Sequence, residues 1–556
     1  MLGTRRTEVL ILFLFQLASR TPAAVFYVNA GGTNPSPPYA SWDTAATNIQ
    51  DAVSLASLND LVLVTNGLYQ YGGTAQPSGN PSNRVYVSRA MTLQSVNGPA
   101  VTTIRGITNA NELMRCVYLA DGAVLSGFTA INGGGGGIYC AGKSALITNC
   151  IIMANYASGS GGGIFSGSVF GCSISNNIGG LGGGGAFSSA LTNCIIAGNG
   201  ALIGSGGGIS GGSAFNCSIS NNSCINGNGG GAASSSLLNC LLISNSAEWA
   251  ANSGTGGGAA SSYLTNCVLI GNRAGYIGGG ASGQVLVGCL LYRNYCNNYG
   301  GACSGTLINC TVVSNSSPDT GGLYTGTAFN SVLYYNSGAF GANYTSGYGL
   351  TNCCTTPLPA KGVDNFTNPP VFVNLASGDF HLRSNSPCIN SGNNKYWPLY
   401  PPGFIFPAIT NDLDGNPRFT GGTIDVGAYE FQSPASIISY AWLQQYGFPT
   451  DGSADFSDPD GDGMNNWQEW IAGTDPTDAQ SVLTMLPPSN SVSGLTLTWQ
   501  SVTNRTYYLE RATNLLLQPA FTPIAGPITG QPGVTAYTGM TASNSPASFY
   551  RVSVQR

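Results

Sequence analysis

The central part of this chain repeats one short pattern nine times. In each copy a Cys, replaced by Ser in the last copy, is followed by an aliphatic residue two positions later and by Asn five positions later. The leading positions, which are 21 to 27 residues apart, are Cys150, Cys172, Cys194, Cys217, Cys240, Cys267, Cys289, Cys310 and Ser331. Copies of roughly 20 to 50 residues with one strand each bury their apolar face only against their neighbours. The repeat therefore predicts a solenoid.

One short strand is expected in each copy. The position two residues after the Cys or Ser is always Ile, Leu or Val, whereas the position between them varies. A constant apolar position beside a variable one indicates a strand with one buried face, and the aliphatic excess favours parallel pairing. Successive strands would stack about 4.8 Å apart, which places each Cys above the last in an interior column.

The 16 cysteines have two interpretations. In an exported chain they would ordinarily indicate a disulfide framework. Side chains that leave stacked parallel strands point the same way, however, and a disulfide needs its Cβ atoms closer than that stacking allows. We therefore predict that the eight repeat cysteines are buried free thiols, and that a bridge, if there is one, involves cysteines outside the column. These are Cys116, Cys140, Cys224, Cys296, Cys303, Cys353, Cys354 and Cys388.

The Asn column is predicted to close each strand. Asn tolerates left-handed backbone geometry, and its amide can bond both its own backbone and the Asn of the next coil. The column consists of Asn155, Asn177, Asn199, Asn222, Asn245, Asn272, Asn294, Asn315 and Asn336. Glycine runs such as "SGGGIFSG" lie between the strands, where the backbone must bend or pack closely. They recur in most coils without the Lys of a phosphate-binding loop, which argues against nucleotide binding.

These coils resemble right-handed parallel β-helix proteins of the pectin-lyase-like superfamily. The glycine runs are similar to repeats of chlamydial polymorphic outer-membrane proteins. The stretch from "FYVNAGG" to "LVLVTNGLY" resembles the entry cap of such helices, and "DLDGNPRFTGGTIDVGAYEF" resembles their closing coils in bacterial surface proteins. The resemblance covers about residues 25–432 and implies the fold, whereas function must be argued from sites because this fold hosts many activities.

Charge is scarce where a catalytic groove would lie. Hydrolases of this fold use paired carboxylates, and lyases resembling pectate lyase use carboxylate-bound Ca²⁺ with Arg or Lys as base. Between residues 133 and 318 the chain has one carboxylate, Glu248. We therefore predict no catalytic residue. The alternative is a polysaccharide lyase or glycoside hydrolase whose candidate residues lie in the charged ends: Arg105, Arg115, Asp121, Asp412 and Asp414.

Two smaller features bear on function. His381 is the only histidine, and it is expected to be a half-buried structural imidazole rather than part of a Ser-His-Asp relay. Exposed aromatic rings in the later coils would suit stacking on a neutral glycan, although ordinary packing of the faces explains them equally. The candidate glycan contacts are Trp249, Tyr292, Tyr334 and Tyr335.

A calcium loop follows the solenoid, in the module predicted at residues 437–482. Its spacing of acidic residues fits the template of a Ca²⁺ loop, with Gly463 at the sharp turn. The predicted ligands are Asp458, Asp460, Asp462, Met464, Asn466 and Glu469. Met464 would contribute its backbone carbonyl, and Glu469 would bind through both oxygens. The alternative is an Asp-Gly turn without metal.

The calcium module resembles dockerin-like or thrombospondin type 3-like modules of secreted bacterial proteins, but it has one complete loop where a dockerin has two. Nearby Asp451, Asp455, Asp475 and Asp478 are expected to cap turns or to add ligands. From about residue 485 to 556, alternating strands predict a small β-sandwich that resembles a fibronectin type III-like domain.

The two ends and the composition indicate the setting. Arg5 and Arg6, an apolar run and small residues near Ala24 predict a secretory signal peptide over residues 1–24. The net charge of -5 and the lack of a basic cluster argue against nucleic acid as a partner, and no segment after the signal peptide is long and apolar enough to span a membrane. The sequence thus predicts a secreted or cell-surface bacterial protein, an adhesin, glycan-binding or structural module whose partner is a polysaccharide or a cell-surface protein.

Overall fold

The computed structural model describes nine stretches of the chain. These are residues 23–76, 79–109, 113–248, 253–345, 349–397, 409–491, 494–516, 518–539 and 548–555. Most of the predicted signal peptide lies outside them. The region from Val25 to about Thr355 is a right-handed parallel β-helix, which confirms the predicted solenoid.

Each central coil contributes short strands to four faces, which we call A, B, C and D in chain order from Leu146. Face A contains Val25–Val28, Leu61–Val64, Thr92–Ser95, Val124–Ser126, Leu146–Thr148, Ser168–Phe170, Ala190–Thr192, Ser213–Phe215, Ser236–Leu238, Tyr263–Thr265 and Leu350–Thr351. Face B contains Gly67–Tyr69, Thr102–Arg105, Thr129–Ile131, Ile151–Met153, Ser173–Ser175, Ile195–Ala197, Ser218–Ser220, Leu241–Ile243, Val268–Ile270, Leu290–Tyr292, Thr311–Val313, Val332–Tyr334 and Cys354–Thr355.

Face C has fewer strands than faces A and B, and most strands of face D directly follow the glycine runs. Face C contains Tyr156–Ala157, Ile178–Gly179, Gly200–Ala201, Ser223–Cys224, Ser246–Ala247, Arg273–Ala274 and Tyr295–Cys296. Face D contains Gly79–Val87, Leu113–Leu119, Ile138–Cys140, Ile164–Phe165, Ala186–Phe187, Ile209–Ser210, Ala232–Ala233 and Ala259–Ala260. Longer strands that run through faces D and A are Ala281–Val287, Cys303–Ile308 and Leu323–Phe329. Two short strands, Thr74–Gln76 and Ile107–Thr108, add antiparallel pairs near the entry.

The repeat cysteines form the predicted interior column. All eight are at most 3% exposed. Adjacent members are in contact: the amide of Cys150 donates to the sulfur of Cys172 at 3.3 Å, and that of Cys194 to the sulfur of Cys217 at 3.4 Å. Every cysteine whose side chain the structure describes, on or off the column, is buried and free. Buried thiols of this kind act as small, soft core residues.

The Asn column is a continuous hydrogen-bond ladder. The amide nitrogen of Asn177 donates to Oδ1 of Asn199 at 2.9 Å and to the carbonyl of Ile152 at 2.9 Å, while its Oδ1 accepts from the amide of Asn155 at 3.1 Å. The same pattern runs through all nine positions and ends on Asn343. Because each side chain satisfies the next one, a column of buried amides carries little desolvation cost.

The backbone geometry of the Asn column corrects one prediction. The left-handed residue is the one before each ladder Asn, such as Ala154 at φ 53° and Asn176 at φ 54°, and not the ladder Asn itself. A second left-handed corner precedes the Cys, as at Asn193 with φ 53°. The ladder side chain must point inward from extended backbone, so the sharp turn is made by its exposed neighbour.

Glycines allow the coils to approach each other. A Cβ on Gly207 would meet the carbonyls of Ser223 and Gly230 in the following coil. The backbone there bonds directly from coil to coil, as in the 3.1 Å bond from the amide of Gly207 to the carbonyl of Gly229. The glycine runs therefore serve close packing of coils, as predicted.

The two ends of the solenoid are covered differently. At the entry, the α-helix Ile49–Leu55, capped by Asn48, and the 3₁₀-helix Trp42–Thr44 lie over the first coils. After the last coil, residues 366–397 and 409–431, which together we call the closing segment, fold back along the side of the solenoid. This segment contains the antiparallel strands Phe372–Asn374 and Asp379–Leu382 and the 3₁₀-helix Asn394–Tyr396.

Beyond the closing segment lie two short helices, Tyr440–Gln445 and Asn466–Ala472, and two antiparallel sheets. One sheet contains Met485–Ser491, Gly494–Ser501 and Gly533–Gly539, and the other contains Thr506–Ala512, Thr522–Thr529 and Phe549–Gln555. They share a core in which the rings of Trp499 and Tyr507 lie 5.8 Å apart. This is the predicted terminal sandwich, whereas its likeness to fibronectin type III stays a prediction.

Candidate functional site

The predicted calcium loop is shaped by its own carboxylates. Asp458 accepts hydrogen bonds from the amides of Gly461, at 2.9 Å, and Gly463, at 3.0 Å. These bonds turn the loop so that one carboxylate oxygen each of Asp458, Asp460 and Asp462 lie within 4.8 Å of one another. Hard oxygen donors at this spacing are what a Ca²⁺ site requires.

Glu469 reaches the same cluster from the helix Asn466–Ala472. This helix starts with a capping box between Asn465 and Gln468 and ends at the left-handed Gly473, so the sequence fixes both of its ends. Glu469 is fully buried, and its pKa is raised to about 7 by burial and by the nearby Asp460 and Asp462 carboxylates. A buried carboxylate beside other carboxylates is stable only when protonated or neutralised by a cation.

Three carboxylate oxygens at this place have no hydrogen-bond partner although they are buried: Oδ2 of Asp460, Oδ2 of Asp462 and Oε2 of Glu469. Native structures rarely leave buried polar atoms unpaired, and a bound cation would satisfy these three oxygens. The donor set is all oxygen, which Ca²⁺ prefers. The residues therefore fit the predicted ion.

The two remaining predicted ligands, Asn466 and Met464, also make contacts outside the acidic cluster. Asn466 is fully buried, and its amide nitrogen donates to the carbonyl of Ala454 at 2.8 Å, which leaves its Oδ1 unpaired. The sulfur of Met464 accepts from the amide of Leu483, at 3.3 Å, so this side chain ties the loop to the segment that leads to the sandwich. Its role as a carbonyl ligand stays a prediction.

The four flanking aspartates stabilise turns and packing. Asp451, Asp475 and Asp478 each accept from the backbone amide two residues ahead, which is the local turn geometry of Asp. Asp455 is buried and accepts from Oγ of Ser436 at 2.6 Å, which attaches the acidic loop region to the residues that follow the closing segment.

Two of the four predicted glycan contacts are buried in the structure. Tyr292 and Tyr334 are 8% and 9% exposed because the closing segment covers the later strands of face B, so neither ring is a surface platform. Tyr292 packs against Phe380 with ring centroids 4.9 Å apart. Tyr335 is 42% exposed, and Trp249 lies outside the described residues.

An aromatic row that the sequence analysis missed runs along the outside of face D. Consecutive coils stack rings at centroid distances of 4.7, 5.7, 4.8 and 5.4 Å. The row consists of Tyr86, Tyr118, Tyr139, Phe165 and Phe187. All five side chains are partly exposed, and the guanidinium of Arg115 lies 4.6 Å from the ring of Tyr139. The signal was present in the sequence, since an aromatic residue follows the glycine run in "GIYC", "GIFS" and "GAFS".

The charged residues of the entry coils lie near this row but are engaged. Nε of Arg115 donates to the carbonyl of Gly135 at 2.9 Å, and Asp121 accepts from the hydroxyl of Ser144 at 2.6 Å. Arg105 reaches Oε1 of Gln70 at 3.4 Å.

His381 lies between two carboxylates on the closing segment. Its Nδ1 is 2.5 Å from Oδ1 of Asp379, its Nε2 is 2.6 Å from Oδ2 of Asp414, and its ring packs 4.4 Å from Tyr429. Burial alone would lower the pKa of His381, but the bonds to both carboxylates raise it above its ordinary value. The half-exposed imidazole thus ties the hairpin to the loop that contains Asp414, a tie the sequence did not predict.

Four other ionisable groups of the closing segment are buried, namely Asp412, Arg418, Asp425 and Glu430. Arg418 is fully buried, with Nη1 3.7 Å from Oε2 of Glu430, and Asp412 accepts from the amides of Asn416, at 2.8 Å, and Glu430, at 3.0 Å. Asp412 is therefore a structural anchor, and it does not present its charge to a ligand.

The helices in the described part of the chain are all too short or too polar to span a lipid bilayer. No family model and no curated protein matches the chain.

Among solved structures, the chain is similar to pectate lyase Pel9A, with 14% identity and a TM-score of 0.36 over 74% of this chain and 96% of that one. It is similar to XylC in complex with xylose, with 10% identity and a TM-score of 0.35 over 74% and 99% of the two chains. It is also similar to the tailspike protein gp49 of the Acinetobacter baumannii bacteriophage Fri1, a capsular polysaccharide depolymerase, with 9% identity and a TM-score of 0.26 over 96% and 86%. These similarities concern architecture and carry no information on activity.

Proposed function

We propose that this protein is an exported or cell-surface β-helix protein that binds neutral glycan without cleaving it. The observation that carries the proposal is the poverty of charge in the central coils. Glu248 is the single carboxylate between residues 133 and 318, and Nε of Arg273 lies 2.9 Å from it. General acid and base catalysis on a glycosidic bond needs titratable groups facing the substrate, and this pair neutralises itself.

The aromatic row on face D is the surface that best suits a glycan. Three tyrosines, Tyr86, Tyr118 and Tyr139, follow each other coil by coil and combine an apolar ring with a hydroxyl that bonds sugar hydroxyls. Phe187 ends the row, and Ser210 occupies the corresponding place in the next coil. A chain of sugars would lie along the solenoid axis and meet the same kind of side chain at each coil.

Ca²⁺ would be held by Asp458, Asp460, Asp462 and Glu469, with Asn466 and the carbonyl of Met464 completing the set. The ion would supply positive charge that neutralises the buried carboxylates and would fix the loop to the helix Asn466–Ala472. Its role in this proposal is structural. The loop's likeness to dockerin-like or thrombospondin type 3-like modules is part of the same proposal.

The test is incubation with a panel of neutral and acidic polysaccharides in the presence of Ca²⁺. We expect the protein to be retained on insoluble neutral polysaccharide, with no new reducing ends and no unsaturated sugars. A Tyr139→Ala variant should be retained less, while Phe170→Ala, which removes an exposed ring on face A, should be retained equally. Shortened polysaccharide chains would contradict the proposal.

A lyase or hydrolase of the same fold is the second candidate, and the Asp379, His381 and Asp414 cluster favours it. An imidazole hydrogen-bonded to carboxylates is an arrangement that can move protons. If the panel shows cleavage, a His381→Gln variant should abolish it. Cleavage that survives this change would place the catalytic groups elsewhere.

A further inference from the structure

A cavity of about 310 Å³ lies where the last coil, the closing segment, the calcium module and the sandwich meet. It is built from side chains of four separate parts of the chain. Its principal lining groups are Trp442, Trp470, Asp364, Arg505, Asn368 and Gln445. We propose that this cavity, which we call the junction cavity, is a binding site for one or two units of a neutral sugar, an inference that rests on the glycan-binding function proposed above and adds a second site to the aromatic row.

The aromatic wall of the junction cavity is held in place. Trp442, on the helix Tyr440–Gln445, packs against Tyr446 and Phe448 with ring centroids 4.9 and 6.2 Å away. Trp470 is buried on the helix Asn466–Ala472, one residue after the predicted calcium ligand Glu469. The partly exposed indole of Trp442 fits the C–H face of a sugar ring, buried Trp470 supports this wall from behind, and a fixed ring loses little entropy on binding.

The polar wall is also fixed. Arg505 of the sandwich donates from Nε to the carbonyl of Ile471 at 2.9 Å and lies 3.7 Å from the carboxylate of Asp364. Asp364 has a left-handed backbone with φ 54°, and its side chain stays 29% exposed beside the cavity. Asn368 donates to Oε1 of Gln444 at 3.3 Å. A carboxylate and amides directed at a small cavity suit the hydroxyls of a sugar.

Charge and size select the class of ligand. Asp364 and Arg505 together carry no net charge, and two nitrogens of Arg505 already donate to backbone carbonyls. An acidic sugar would therefore meet the Asp364 carboxylate without a free cation to offset it. The volume is near the lower end of the range of small-molecule pockets, about 300 to 1,000 Å³, which limits the ligand to one or two rings.

Calcium should affect this site indirectly. Fixing Glu469 fixes the first turns of the helix that contains Trp470, and Arg505 holds the end of the same helix. Loss of the ion would loosen one wall of the junction cavity and weaken binding. The sugar contacts themselves do not include the ion.

The experiment uses the full chain in Ca²⁺ and calorimetric titration with cellobiose, maltose, lactose, N,N′-diacetylchitobiose and digalacturonate. We expect saturable binding of at least one neutral disaccharide and none of digalacturonate. Asp364→Asn and Trp442→Phe should each weaken that binding about tenfold, which corresponds to about 1.4 kcal/mol. The control is Trp467→Phe, since Trp467 lies on the helix that contains Trp470, is 39% exposed and does not line the cavity.

The proposal is overturned if no neutral disaccharide binds, if digalacturonate binds better, or if Asp364→Asn and Asn368→Ala, both folded by their melting curves, leave the affinity unchanged. Retention on insoluble polysaccharide separates this inference from the general one. Full retention of Asp364→Asn together with absent disaccharide binding would leave glycan binding to the solenoid and remove the junction cavity. Disaccharide binding without retention would support the junction cavity and contradict glycan binding by the solenoid.

Discussion

The central coils and the closing segment bury polar groups in opposite ways. In the coils the buried polar column is neutral, and each amide of the Asn ladder bonds the next, as Asn199 does with Asn222 at 3.0 Å. In the closing segment the buried groups are ionisable, and Asp412, Asp425 and Glu430 surround Arg418. In a translational repeat, a side chain can hydrogen-bond the equivalent side chain of the next coil. A segment that does not repeat needs a different partner for each buried polar group.

The closing segment satisfies its buried charges less completely. Asp425 accepts from the amides of Asn390 and Phe431 at 2.7 Å each, but Nε and Nη1 of Arg418 and Oε1 of Glu430 have no hydrogen-bond partner. This contrast means that the ladder should be sensitive to loss of an amide, and the closing segment to a change of protonation.

The largest effect is expected in the ladder. Asn199→Ala removes two bonds that its oxygen accepts from Asn177 and leaves buried groups in both neighbouring coils unpaired. We expect a loss of about 3 kcal/mol in the free energy of unfolding, from urea denaturation. The matched control is Asn193→Gly, at an exposed left-handed corner of the same coil, which should change stability by less than about 0.5 kcal/mol. Equal losses of unfolding free energy in both variants would contradict the claim that the ladder hydrogen bonds stabilise the solenoid.

The calcium module should respond next. If Ca²⁺ is present at about 100 times its dissociation constant, it adds about 2.7 kcal/mol to the stability of the folded module. Chelation should therefore lower the melting temperature of the native chain and leave that of Asp460→Ala unchanged. Asp478→Ala, which loses a turn bond to Gln480, should keep its full response to Ca²⁺. A melting temperature indifferent to Ca²⁺ in the native chain would contradict the metal site.

The closing segment should weaken as the pH rises. Burial raises the pKa of Asp425 to about 7 and that of Glu430 to about 10, so the folded state binds protons that the unfolded chain has already lost. Stability from Asp425 is complete below the ordinary Asp pKa and is lost as the pH rises to about 7, while Glu430 extends the loss toward pH 10. We expect Asp425 alone to lower the free energy of unfolding by roughly 2 kcal/mol between pH 5 and pH 7, and Glu430 to add to this decrease.

His381 shifts in the same direction, since its raised pKa also favours the protonated form in the folded state. Hydrogen exchange of amides such as Val426 and Phe431 would localise the effect to the closing segment. The Asp425→Asn variant should show a smaller pH dependence than the native chain. A uniform change across the solenoid would show that the buried charges are not its source.

The smallest effect concerns the aromatic row. Phe165→Ala removes two ring contacts, at 4.8 Å to Tyr139 and 5.4 Å to Phe187, and should cost about 1 kcal/mol in unfolding free energy. Phe170→Ala, half-exposed on face A, should cost less. A larger loss of unfolding free energy for Phe170→Ala would mean that ring stacking in the row does not contribute to stability.

The sequence predicted most of the solenoid and the folded acidic loop because both depend on spacing, whereas the Ca²⁺ ion itself stays a prediction. Parallel stacking places each residue next to the equivalent residue of the neighbouring coil, so Cys172 and Cys194 had to face the same interior. The calcium template likewise fixes local geometry through turns made by its own Asp458 and Gly463. The stacked rings of the aromatic row were also periodic, but a half-exposed position gives a weaker signal than a buried one.

What the sequence by itself determined was the periodic part of this protein, its all-β architecture, its free thiol column and its Asn ladder, since neighbours along the axis are copies of one another. Only the tertiary structure decided where the closing segment docks. That docking buries Tyr292 and Tyr334, places His381 between two carboxylates and forms the junction cavity from four distant segments. The physical reason is that these contacts join residues without a common period, so their meeting depends on how complete surfaces pack together.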